Sequence, residues 1–196
     1  MSWRFPAICG ALFVFFCALF THSLPALDEE SYLWIAKEMS WGDPYDWNLP
    51  WPPYDDAYVY AHPPLFLWWV KAFLILEGDS LWGLKFVLGA PWQFLLGFAV
   101  GFLIKQKEKP WRLYVLFLVA PIVSLSASRA LMPDLMCTAL GVSSIVLFIE
   151  AGKRNKATAL YALAGVALGM ASWTKYPALL LWILVFVVHK GGFRRL

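Results

Sequence analysis

Charge is scarce in this chain. Only 15% of its 196 residues are Asp, Glu, Lys or Arg, against about 25% in an ordinary soluble domain. The net charge of +3 is small, and no basic stripe is interleaved with aromatics, which excludes a nucleic-acid partner. Cysteine is nearly absent. Cys9, Cys17 and Cys137 all lie in apolar stretches, and their spacing fits neither a zinc site nor a disulfide framework. No internal repeat or low-complexity segment is present. What remains is apolar: 61% hydrophobic residues and a mean hydropathy of +0.62. Twelve Trp and fifteen Phe add aromatic mass suited to membrane interfaces. Composition alone predicts a polytopic membrane helix bundle, all-α, with residues 1–196 forming a single transmembrane module.

The first apolar run covers about residues 5–27. It is long for a signal-peptide core and has no convincing small-residue cleavage site, so it predicts an uncleaved first helix. The run at Pro64–Leu76 is shorter than the roughly 20 residues a span needs. It follows a double proline, which suits a helix start, and predicts a helix lying in or dipping into the outer interface. Further spans are expected at about 81–104, 112–128, 133–150, 157–173 and 175–190, six in all with the first. Orientation follows the basic loops. "KQKEKPWR", "GKRNK" and "HKGGFRRL" share the cytoplasmic side with the N-terminus, provided that residues 64–76 do not cross. The ten carboxylates within residues 28–79, among them Asp28, Glu29, Glu30, Glu38, Glu77 and Asp79, of thirteen in the chain, then fall on the other side.

The outer region 28–80 is expected to carry the site. Its stretch "WGDPYDWNLPWPPYDDAYVYAHPP" has no helical or strand period and predicts an ordered loop. Residues 29–41 predict a short helix with Tyr32, Ile35, Ala36 and Met39 on one face. Asp28 would then be its N-cap.

Ionisable groups at a membrane face are functional candidates by default. Asp28, Glu29 and Glu30 read either as acids favouring a helix N-terminus or as a general base or metal-ligating carboxylate that takes a proton from an acceptor hydroxyl. Asp134, in "SRALMPD", pairs with Arg129 in the structural reading. In the functional reading it completes the site while Arg129 grips a phosphate through its planar donor fork. Lys175 and, more weakly, Lys85 either snorkel to the interface or bind phosphate. His62 is structural or a titrating or metal-binding group. Carboxylates and cations gathered at one membrane face suit a lipid-linked phosphate held beside an acceptor. That is the geometry for group transfer from a polyprenyl phosphate.

The order "DEESYLW", "WGDPYDW…AHPPL", "SRALMPDLMCTAL" and "AGVALGMASWTKYPALLL" resembles the family 39 type glycosyltransferases of the GT-C superfamily, the protein O-mannosyltransferase-like enzymes and the lipid A aminoarabinose transferases. The likeness runs over essentially the whole chain. It implies a GT-C-like fold and a multi-pass protein of the cell membrane, a bacterial inner membrane. It also implies a hexosyl- or pentosyl-transferase that takes its sugar from a polyprenyl-phosphate donor and passes it to a lipid, glycan or protein acceptor at the outer face. By the same resemblance Asp28 is the base or metal-site carboxylate and Asp134 shares that site. Because both adjoin spans that end at the outer face, their carboxylates are expected within about 10 Å, with room for a water, metal or acceptor between them. A divalent metal is left open, with Asp28 and Asp134 its candidate ligands. Where the aminoarabinose transferases carry a Glu-Lys pair before the double proline, this chain has Ala61 and His62, which removes a metal ligand at 61. Family members are longer, so the chain is expected to be an N-terminal portion.

Two other readings compete. One is a catalytically inert membrane protein of the same stock, acting as a binding or assembly subunit. The other is a transporter, which would place its charges near the bilayer midplane; here they cluster at the ends.

Overall fold

Apolar runs broken by Pro, Gly and charge fold here as helices. The computed structural model describes residues 3–20, 27–40, 63–77, 81–105, 132–154 and 157–183, and every regular element among them is helical. They are α1 (Arg4–Phe20), α2 (Leu27–Glu38), α3 (Leu65–Glu77), α4 (Leu81–Lys105), α5 (Pro133–Gly152) and α6 (Thr158–Thr174). A 3-10 turn at Tyr176–Ala178 leads into helical residues 179–183. Among the described residues two helices are long and apolar enough to cross a bilayer, Gly83–Lys105 and Pro133–Gly152, whereas the spans expected at 5–27 and 157–173 form the shorter apolar helices α1 and α6. The expected span at 112–128 lies outside the described residues.

Side-chain contacts fix the helix directions. Trp3 stacks on Phe98 and Phe102, while Gly10 lies against Phe94, so α1 runs antiparallel to α4. Leu84 and Leu88 pack with Met136 and Leu140, and Phe102 packs with Val146, so α5 runs in the same direction as α4. Asp134 meets Lys175, Ser144 donates to Ala164 O at 2.7 Å, and Phe148 meets Tyr161 edge-on, so α6 is antiparallel to α5. One end of the bundle therefore carries Glu29, Lys85, Asp134 and Lys175. The opposite end carries Arg4, Lys105, Lys153 and Arg154.

Glycine makes the α1–α4 contact possible. A Cβ on Gly97 would lie 2.7 Å from Cys9 O and 2.7 Å from Phe13 Cγ, and one on Gly101 would lie 2.8 Å from Cys9 Cβ. The four-residue spacing puts both glycines on one face, so α1 approaches the α4 backbone itself. Gly165 and Gly169 on α6 share that spacing but have nothing within 4 Å. Gly97→Leu is therefore expected to lower stability by about 1–3 kcal/mol or more, seen as a fall in the unfolding midpoint in detergent. Gly165→Leu should leave the midpoint nearly unchanged, and equal effects would remove the close-approach explanation.

The short helices α2 and α3 pack at the acidic end. At 13 residues α3 is about 20 Å long, too short to cross roughly 30 Å of hydrocarbon. Its Trp68 meets Trp173 near the end of α6, and its Trp69 meets Trp92 of α4. Pro91 interrupts α4 and removes the amide that would bond the carbonyl of Val87. In the same turn Trp69 Nε1 donates to Leu88 O at 3.3 Å. The expected face of α2 is found: Tyr32, Ile35, Ala36 and Met39 are all buried, with Phe66, Leu67 and Val70 of α3 in the same core. One expectation is corrected. The helix already includes Leu27 and Asp28, so Asp28 stands in the first turn and is not the N-cap.

Candidate active site

Among the described residues, two acid–base pairs lie at this end. Glu29 accepts from Lys85 Nζ at 2.9 Å, and each side chain is only 1% exposed. Glu29 lies three and seven residues before Tyr32 and Ala36, which places its carboxylate on the buried stripe of α2. Lys85 stands between Leu84 and Leu88, both in the shared core. The second pair joins Asp134, in the first turn of α5, to Lys175 after α6, with Lys175 Nζ donating to Oδ1 at 2.5 Å. Here Asp134 is 51% exposed and Lys175 23%.

Local sequence explains the second pair. Met132 is extended and Pro133 opens α5 at a position where a helix needs no amide, so Asp134 falls beside the positive helix end. At the other partner, Lys175 is extended with φ −153 and ψ 127, and Pro177 follows in the 3-10 turn. This break ends α6 and turns the chain back over α5, where Leu181 comes against Gly141.

The pair borders a groove of about 350 Å³ lined by Asp134, Cys137, Gly141, Val142, Ile145, Lys175 and Leu181, among others. Its volume is at the low end for small-ligand sites. It is charged at one end and apolar along α5.

The structure thus brings Glu29 to Lys85 and Asp134 to Lys175. Asp134 has Lys175 as its observed partner, whereas the sequence suggested Arg129; Arg129 lies outside the described residues, as does His62. The backbone of Asp28 is placed in α2, but its side chain lies outside the described residues, so its distance to Asp134 is not defined. Among the described residues no three His, Cys, Asp or Glu side chains gather into a metal-binding group. What sequence reasoning missed is the Glu29–Lys85 pairing. The signal was present, since Glu29 continues the helical stripe of Tyr32 and Ala36.

A family model described as dolichyl-phosphate-mannose-protein mannosyltransferase matches residues 61–196. The chain belongs to that family. It is a family of membrane glycosyltransferases that use a polyprenyl-phosphate sugar donor. The match covers His62, Lys85, Arg129, Asp134 and Lys175, and begins after α1 and α2. No curated protein and no solved structure shows a significant match.

Proposed function

We propose that this transferase module moves a hexosyl or pentosyl group from a polyprenyl-phosphate donor to an acceptor hydroxyl at the outer face of the membrane. The observation that carries the reading is the Asp134–Lys175 pair at the charged end of an apolar groove, on the same end of the bundle as the acidic helix α2. Such a groove accommodates a lipid whose head is an anion and whose tail is hydrocarbon. In the proposed step the acceptor oxygen attacks the anomeric carbon while a carboxylate, Asp28, takes the hydroxyl proton. The bond from the anomeric carbon to the phosphate oxygen breaks, and its electron pair leaves with the polyprenyl phosphate. Lys175 faces the charge that develops there, and Asp134 holds Lys175 in place and borders the acceptor side. Arg129 and His62 are assigned to substrate binding on the sequence pattern.

Transfer of radiolabelled sugar from a polyprenyl-phosphate donor, with the chain reconstituted in vesicles, tests the proposal. Label in an acceptor fraction is expected. Donor binding without transfer would instead favour a binding or assembly subunit.

The proposal includes six spans, a cytoplasmic N-terminus and an outward-facing acidic end. Single cysteines at Glu30 and at Arg154, in a background without Cys9, Cys17 and Cys137, should differ toward an impermeant thiol reagent applied from outside. Glu30 is expected to be labelled and Arg154 to be protected until the membrane is opened. The reverse pattern would invert the topology.

A further inference from the structure

We infer that Glu29 and Lys85 are positioning residues that fix helix α2, and with it the turn bearing Asp28, against α4. This rests on the proposed reading of Asp28 as the acid beside the donor. A helix of 12 residues is marginal by itself in water, so tertiary anchors decide where α2 sits. Three are present. Lys71 Nζ of α3 donates to Ala36 O at 3.1 Å and Lys37 O at 3.2 Å, holding the carbonyls at the C-terminal end. Tyr32 meets Phe66 edge-on at 5.9 Å in the middle. The Glu29–Lys85 pair, buried on both sides, holds the N-terminal end.

The last anchor differs in kind from the others. A buried ion pair is rarely the most stabilising choice, because desolvation offsets its attraction, and apolar residues of similar size often do as well or better. Its effect is selective: a register that parts this carboxylate from this ammonium takes from each a buried partner of opposite charge. Glu29 is one residue from Asp28, so their Cα atoms are about 3.8 Å apart. Locking Glu29 therefore sets the position of the turn from which Asp28 projects. A misplacement of about 1 Å at a reacting group lowers rates by about 100-fold, so a lock of this kind acts through turnover and not through donor binding.

The test uses the full chain in lipid nanodiscs, with Glu29→Gln, Lys85→Met and the swap Glu29→Lys/Lys85→Glu. Backbone hydrogen exchange at residues 30–34 should quicken by about tenfold or more in each single variant while α5 and α6 stay protected, and the swap should restore protection. In transfer assays each single variant should lose about tenfold or more in kcat, with the donor KM within about twofold. Unchanged exchange in α2, or a swap no better protected than the single variants, overturns the inference. So does a raised donor KM in Lys85→Met with α2 protected, which would make Lys85 a phosphate ligand. If no variant and not the parent chain transfers sugar, the proposed activity fails, and the exchange measurement still decides whether the pair holds α2.

Discussion

Asp28→Asn is expected to lower sugar transfer by about 100-fold or more while the protein still inserts and folds. General-base contributions run to roughly 10²–10⁴, and an amide cannot take the acceptor proton. The competing role is electrostatic. An acid in the first turn of α2 favours the helix by about 0.3–1 kcal/mol through the dipole, and losing that much would leave turnover nearly intact. Glu30 is the control, because it lies in the same turn and is exposed. Glu30→Gln should retain close to full activity. Steady-state kinetics with saturating donor separate the two roles. Wild-type turnover in Asp28→Asn would return Asp28 to the helix and leave Asp134 as the carboxylate to examine.

Lys175→Ala is expected to reduce transfer on the order of 100-fold, the scale seen when one preorganised donor to a developing anion is removed. Folding should be little affected, since a partly exposed ion pair contributes about 0–1 kcal/mol and Asp134 is half exposed. Lys175→Arg should recover much of the loss, because a guanidinium also grips phosphate. The double variant Asp134→Asn/Lys175→Met separates function from simple neutralisation. If the pair serves only to cancel two charges at a helix junction, the double variant regains activity that Lys175→Ala lacks. If Lys175 faces the leaving phosphate, the double variant stays as impaired as Lys175→Ala. Full activity in Lys175→Ala would remove the phosphate role.

Much of this architecture was legible in the residues. Apolar run length set α4, α5 and α6 close to their observed limits, because the helix is the one short-range way to satisfy backbone groups in hydrocarbon; the first run as expected is too long, since Leu27, its expected end, already belongs to α2. The brevity of Pro64–Leu76 marked α3 as too short to span. The period of Tyr32, Ile35, Ala36 and Met39 marked the buried face of α2. The motif order pointed to the glycosyltransferase family that the match over residues 61–196 then showed.

The pairings were not legible. Asp134 meets Lys175, 41 residues on, a partner that sequence proximity did not suggest; Arg129 lies outside the described residues. Glu29 looked like one of three interchangeable acids, yet it is the one turned inward to Lys85, 56 residues away. Sequence by itself determined which of the described segments are helical and that α4 and α5 are long and apolar enough to cross, since these follow from local hydrophobicity and run length. Tertiary structure decided which carboxylate meets which ammonium. An ion pair depends on helix rotation and on close approach at positions such as Gly97 and the Pro177 turn, and those are set only when the helices pack.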